Sequence, residues 1–178
     1  MRNRIVLAAS AGLVLSLAGL AGGCGYALVG QGNFLPAEAR TIQIPAFVNR
    51  TTRVELEQRV TQAVAEEMVF RAKLRIVTGE SDADLVLKGS MNSFNLTPVS
   101  FNSEGRATEY QVSITAKIEL FNRRDENKVI WKNDQYHFLQ TYAINLEGAD
   151  SFDQETHAIR EIAQRFAQTL VTTLLEGF

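Results

Sequence analysis

Cys24 is the residue of this chain with the clearest chemistry. It is the single cysteine, and it closes the run Leu20-Ala21-Gly22-Gly23-Cys24. Upstream, Arg2 and Arg4 make a basic start and Ile5 to Leu20 are almost all apolar. A basic start, an apolar stretch and small residues before a cut site make a secretory signal, here residues 1–23. A cysteine at the cut site points to lipoprotein processing. Its thiol would receive a diacylglyceryl group, cleavage would free its amine, and the amine would be acylated in turn. Leu20 lies one place further upstream than the usual leucine, and Ala21 takes that position. Two other readings are weaker: an ordinary signal with an unrelated cysteine, and a membrane-spanning anchor. The short apolar run and its terminal glycines oppose the second. Covalent lipid on Cys24 is thus the only attached group expected, with no other cofactor and no metal.

The remaining reactive side chains do not assemble into a catalytic pattern. His157 falls on the polar side of a helix, spaced to pair with Glu161, and His137 lies in a strand between Tyr136 and Phe138. With Cys24 consumed by lipid there is no thiol nucleophile. Neither a Gly-x-Ser-x-Gly turn, a phosphate-binding Gly-Lys loop nor a zinc-type cluster of His and Cys is present. Asp82 and Asp84 lack the supporting carboxylates of a calcium loop and are expected to end a turn. The chain therefore reads as a binding protein and not an enzyme. Candidate binding residues are Arg106, Lys117, Arg123, Arg124, Lys128 and Lys132, concentrated in two strands and their loops. Such groups can grip the phosphates of an anionic amphiphile through charge-assisted hydrogen bonds. Glu109, Glu119, Asp125 and Glu126 are interspersed with them, as on any exposed charged sheet.

Composition narrows the partners. Eighteen basic and 20 acidic residues give a net charge of −2, and loss of Arg2 and Arg4 with the signal takes it to about −4. A nucleic-acid binder would show a basic excess. Without a disulfide, the domain must hold together by packing alone. One acyl chain anchors weakly and several anchor durably, each buried CH₂ being worth about 0.8 kcal/mol. Gly25 follows the cysteine where, in many enteric-type lipoproteins, an Asp holds the protein in the inner membrane; its absence favours the outer membrane.

These residues need elements to position them. Residues 24–40 read as a lipidated N-terminus and flexible linker, with Gly25, Gly30, Gly32 and Pro36, able to reach about 53 Å from Gly25 to Arg40 when fully extended. A single domain, 41–178, follows. Thr41-Ile42-Gln43-Ile44 alternates as a strand stopped by Pro45. Thr52 and Glu55 have capping-box spacing and open a helix whose apolar face carries Leu56, Val60, Ala63, Val64, Phe70 and Leu74. Glu67 falls on the same face, and its expected place is the rim, paired with Arg71. Leu74 to Val77 suggests a short extended piece. Leu85 to Met91 opens a long strand whose alternation changes phase near Gly89, as at a bulge. Thr97 to Arg106 reads as a polar loop. From Glu109 to Leu120 the alternation is strict, with Tyr110, Val112, Ile114, Ala116, Ile118 and Leu120 on one side, so one face is buried and the other wet. Asn122 to Asn127 is a turn, and Lys128 to about Tyr142 a further strand. A last helix starts at Ser151, with Asp153 and Glu155 at its positive end, and carries a stripe through Ile159, Ile162, Ala163, Phe166, Leu170, Val171 and Leu174. The predicted fold is α+β: two helices packed on one face of a four-stranded mixed sheet, in the order β-α-β-β-β-α. The opposite face, with Gln111, Thr115 and Lys117, stays polar.

The ordered segments Cys24-Gly25-Tyr26, Leu35-Pro36, Thr41 to Thr51, Leu56-Glu57, Thr61, Phe70-Arg71, Ala83 to Gly89, Tyr110-Gln111-Val112 and Lys128 to Trp131 resemble the LPS-assembly lipoprotein LptE family. The resemblance runs from Cys24 into the last helix and implies the same two-helix, four-strand layer. It also implies an outer-membrane lipoprotein that partners the large β-barrel LptD, sits in the barrel as a plug, assists barrel assembly and binds lipopolysaccharide. Its domain would lie on the periplasmic side or within the barrel lumen. The rival expectation is a lipoprotein of another envelope assembly, because the layer is also similar to the N-terminal domain of the TolB family.

Overall fold

The computed structural model describes residues 34–143 and 151–177, with 80 and 151–157 described in backbone only. Cys24, the signal and residues 24–33 lie outside the described residues, as does the His157 side chain. Element order is β1 (Thr41–Gln43), β2 (Val48–Asn49), α1 (Leu56–Phe70), β3 (Arg75–Ile76), a 3₁₀ turn (Glu80–Asp82), β4 (Leu85–Phe101), β5 (Ala107–Asn122), β6 (Lys128–Ala143) and α2 (Ser151–Glu176). The sheet is mixed, as expected, but six-stranded where four strands were predicted. The order is β3-β1-β4-β5-β6, with β2 on β4. The additional strands, β2 and β3, are two residues each, too short for a period to show. β1 runs parallel to β4, as a helix crossover requires, and β4, β5 and β6 meander antiparallel.

Strict alternation in β5 has its expected outcome. Val112, Ile114, Ala116, Ile118 and Leu120 are fully buried, and both helices cover that face. Phe166 of α2 meets Tyr136 and Phe138 of β6 edge-on, at 5.6 and 5.5 Å between ring centroids. The helices run in the same direction. Arg59 to Glu66 lie beside Arg160 to Gln164, and Arg71 donates to the Gln168 carbonyl and the Thr172 hydroxyl.

Five local expectations are corrected. The expected linker end belongs to the domain: Leu35 and Ala39 are buried, and Phe34 N–H donates to the Leu175 carbonyl at 2.9 Å. Thr52 and Glu55 form no capping box. Glu55 is in the left-handed region at φ 63, and Asn49 organises the helix entrance by donating to the Arg53 carbonyl and to Glu57 Oε2, both at 2.7 Å. In α1 the buried stripe ends on Met68, while Phe70 is 71% exposed. Arg71, expected beside Glu67, turns to α2 instead. The loop expected at 97–106 is mostly strand, and the turn narrows to Asn102–Arg106, where Asn102 Oδ1 accepts from Glu104 and Arg106 N–H.

The phase change of β4 is present, but it lies between Met91 and Ser93 and not at Gly89. Gly89 has another use. A Cβ there would sit 2.4 Å from the ring of Phe47, which lies buried against it.

Candidate functional site

The sheet face away from the helices is uncovered. Strand register lines up most of its residues in polar rows (Lys88, Glu119 and Lys132; Ser93, Thr115 and His137; Thr97, Gln111 and Thr141), while Val86, Phe121 and Val129 make an apolar row and Leu139 stands exposed beside Ser113. Bulges before Tyr136 in β6 and after Met91 in β4 keep the rows in phase across the three strands. Lys117 and Lys132 share two carboxylates. Lys117 lies 3.2 Å from Glu119 and 3.6 Å from Asp134; Lys132 lies 3.6 and 3.1 Å from the same two. The hydrogen bond and charge of Asp134 raise the Lys132 pKa, and the Lys132 hydrogen bond lowers that of Asp134. His137 Nδ1 lies 3.2 Å from the Thr115 hydroxyl.

The six basic candidates do not form one patch. Lys117 and Lys132 are brought together mid-sheet. Arg106 is at the β4–β5 hairpin tip, paired with Glu104 at 2.6 Å. Arg123, Arg124 and Lys128 lie at the other end of β5, 16 residues and roughly 50 Å away along the strand. Lys128 pairs with Asp125 at 3.5 Å.

Asp84 was expected only to end a turn, yet it is a structural clip. It is buried, accepts from Arg40 N–H at 2.7 Å and Thr41 N–H at 3.0 Å, and is bridged by Arg124 Nε. Its own carbonyl accepts from Arg123 N–H at 2.8 Å. Burial pushes the Asp84 pKa up, but these donors outweigh it and bring the value to about 2. A pocket of about 430 Å³ beside it is lined by Ser81, Asp82, Ala83, Asp84, Arg123 and Arg124. Local sequence carries no signal for this clip, because its partners lie about 40 residues away on either side. Among the described residues no group of three His, Cys, Asp or Glu could hold a metal, and no helix is long and apolar enough to cross a membrane.

A family model described as "LptE: Lipopolysaccharide-assembly" matches residues 39–174. The chain belongs to the LptE family. No curated protein matches this LptE-family chain in sequence. Solved structures similar to it include rare lipoprotein B from Shewanella oneidensis, at 15% identity and TM-score 0.47, covering 74% of this chain and 92% of that one. A hypothetical protein from Chlamydia trachomatis has 12% identity and TM-score 0.50, with 77% and 98% covered. An uncharacterized lipoprotein B from Nitrosomonas europaea has 11% identity and TM-score 0.49, with 85% and 90% covered. At these identities the Chlamydia protein shows a shared fold alone, and the other two similarities carry no weight. The LptE match is to a family of lipopolysaccharide assembly.

Proposed function

We propose that this chain is an outer-membrane lipoprotein, acylated at Cys24, that partners an LptD-type β-barrel in delivering lipopolysaccharide to the cell surface. It serves as plug, assembly aid and lipopolysaccharide-binding subunit. The observation that carries the reading is the uncovered sheet face, seen in a chain of the LptE family. A barrel lumen is polar and wet. A domain lodged there needs an apolar core closed on itself and a hydrogen-bonding exterior. The helices seal one side of the sheet, while the other offers rows of Ser, Thr, Asn, Gln and paired charges over three strands. Lipopolysaccharide phosphates would meet Lys117 and Lys132 at mid-face or Arg123, Arg124 and Lys128 at the turn. Arg106 is too distant to share either contact.

Detergent extraction from the native host tests the partnership. A large outer-membrane barrel should co-purify, and depletion should lower surface lipopolysaccharide. Absence of the barrel together with normal surface lipopolysaccharide sinks the reading and leaves the chain to another envelope assembly. Charge reversal at Lys117 together with Arg123 should weaken lipopolysaccharide binding in a domain that melts normally. Unchanged affinity removes those positions.

A further inference from the structure

We propose that the C-terminal end of α1 and the edge strand β3 form a membrane-contact surface, where Val69, Phe70 and Ile76 meet the interface of an anionic phospholipid bilayer and Lys73 and Arg75 meet its phosphates. The sequence from Met68 to Gly79 holds three cations and no acid. Val69 is 48% exposed, Phe70 71% and Ile76 37%. Ile76 is in register with the core residue Ile42, yet it lies at the sheet's outer edge.

Seven cations elsewhere are paired, although Lys88, 5.2 Å from the centroid of the Phe121 ring, has no carboxylate contact among the described residues either. Arg59, Arg106, Lys117, Arg124, Lys128, Lys132 and Arg165 all contact carboxylates. Among the described residues Lys73 and Arg75 contact none. The Lys73 ammonium sits over the Phe70 ring, 5.2 Å from its centroid. Lys73 also occupies the left-handed region at φ 57, just past α1, where Leu74 N–H reaches back to the Met68 carbonyl at 3.4 Å. Glycine is the unstrained choice at such a helix end. A strained lysine stacked on an exposed phenylalanine is costly for folding and well suited to an interface, with its ring in the acyl boundary and its charge among headgroups.

The chain's own route brings this end to a membrane. Phe34 is tied to Leu175, its ring packs on Gly177, and Arg75 N–H donates to the Arg40 carbonyl at 2.9 Å. Nine residues lie between Cys24 and Phe34, and the ten steps from one to the other span at most about 36 Å. If Cys24 is acylated, as the function proposed above requires, the Phe34 side of the domain stays within that distance of the lipid. Glu38, Asp82 and Glu176 are exposed acids on that side, Glu67 is half-buried on α1, and the Asp82 carboxylate comes up against Gly79. None lies within the Met68–Gly79 segment.

The test uses the full acylated chain carrying Phe70→Trp in vesicles with brominated acyl chains, of either phosphatidylglycerol or phosphatidylcholine. The native Trp131 is buried and serves as an unquenched reference. Trp at position 70 should shift to shorter wavelength and be quenched in phosphatidylglycerol only. Adding Lys73→Gln and Arg75→Gln should lower the docked population about 25-fold, at about 5-fold per cation. Lys73→Gly separates fold from contact: it should raise Tm and still weaken docking. Equal emission in the two lipids, or no response to the charge variants, overturns the proposal. So does quenching that appears only with a barrel protein in the vesicle, which would make this a protein-binding surface. Mass measurement of the mature N-terminus reports separately on acylation, so an unmodified Cys24 would undo the anchored function without altering the contrast between lipids.

Discussion

At the scale of single residues, Asp84 and Tyr136 show opposite ways of burying a polar group. Asp84 has a donor for each demand, and its pKa falls from 3.8 to about 2. Because the folded value lies below the unfolded one, its stabilisation is fully present above the unfolded pKa. It is lost as pH falls through the folded one. The shift corresponds to about 2 kcal/mol at most, since the Arg124 side of the contact is half open to water. Denaturant titrations at pH 6 and pH 2.5 should therefore show a larger loss in the native protein than in Asp84→Asn. Parallel loss would mean the clip contributes nothing. Tyr136 is the contrary case. Burial raises its pKa and the nearby Thr173 hydroxyl pulls it back, but that hydroxyl donates to the Thr169 carbonyl. The Tyr136 hydroxyl has no partner in hydrogen-bonding geometry. Removing an unsatisfied buried group relieves its desolvation cost, so Tyr136→Phe should leave Tm unchanged or raise it. A fall of several degrees would reveal a hydrogen bond after all.

At the scale of elements, β4 and the chain just before β2 approach closely where Gly89 meets the buried Phe47 ring. Gly89→Ala places a methyl against the Phe47 ring and should cost about 1–3 kcal/mol by denaturation. The loss should shrink when Phe47→Leu is made with it, because the two side chains compete for one space. Elements with a sustained period were legible in the sequence. β5 alternates over its whole core-facing length, and α2 repeats its stripe from Ile159 to Leu174. What escaped was decided by distant partners. Met68, not Phe70, completes the α1 stripe, because α1 turns that side toward the core. Residues Thr97 to Phe101 look like a loop because Pro98 and the polar residues around it show no period. They are held as strand by pairing with Glu109, Tyr110 and Gln111. The mid-face charges were visible as residue types, but their pairing with Asp134 depends on the β6 bulge.

At the scale of the whole molecule, the sheet is supported unevenly. β1 and β2 cover the outer edge of β4 only as far as Met91, and beyond it Asn92–Phe101 pairs with β5 alone. Burial falls off in the same direction, from the fully buried Val112 to the partly buried Tyr110 and Tyr142, which stack with centroids 6.0 Å apart. Hydrogen exchange should accordingly be fast along 95–101 and slow along 85–91 and 112–120. Protection of the outer half once a barrel is bound would mark that half as the contact. The Phe34–Leu175 hydrogen bond carries a last consequence. It brings the start and finish of the domain within 2.9 Å, so the fold is nearly a closed loop of chain. It could be rejoined there and cut anew at the Asn102–Arg106 turn, giving a circular permutant with the same core and its free ends at the opposite pole. A bulky fusion placed after Gly177 would crowd the place where the tether enters, whereas one inserted at that turn would not.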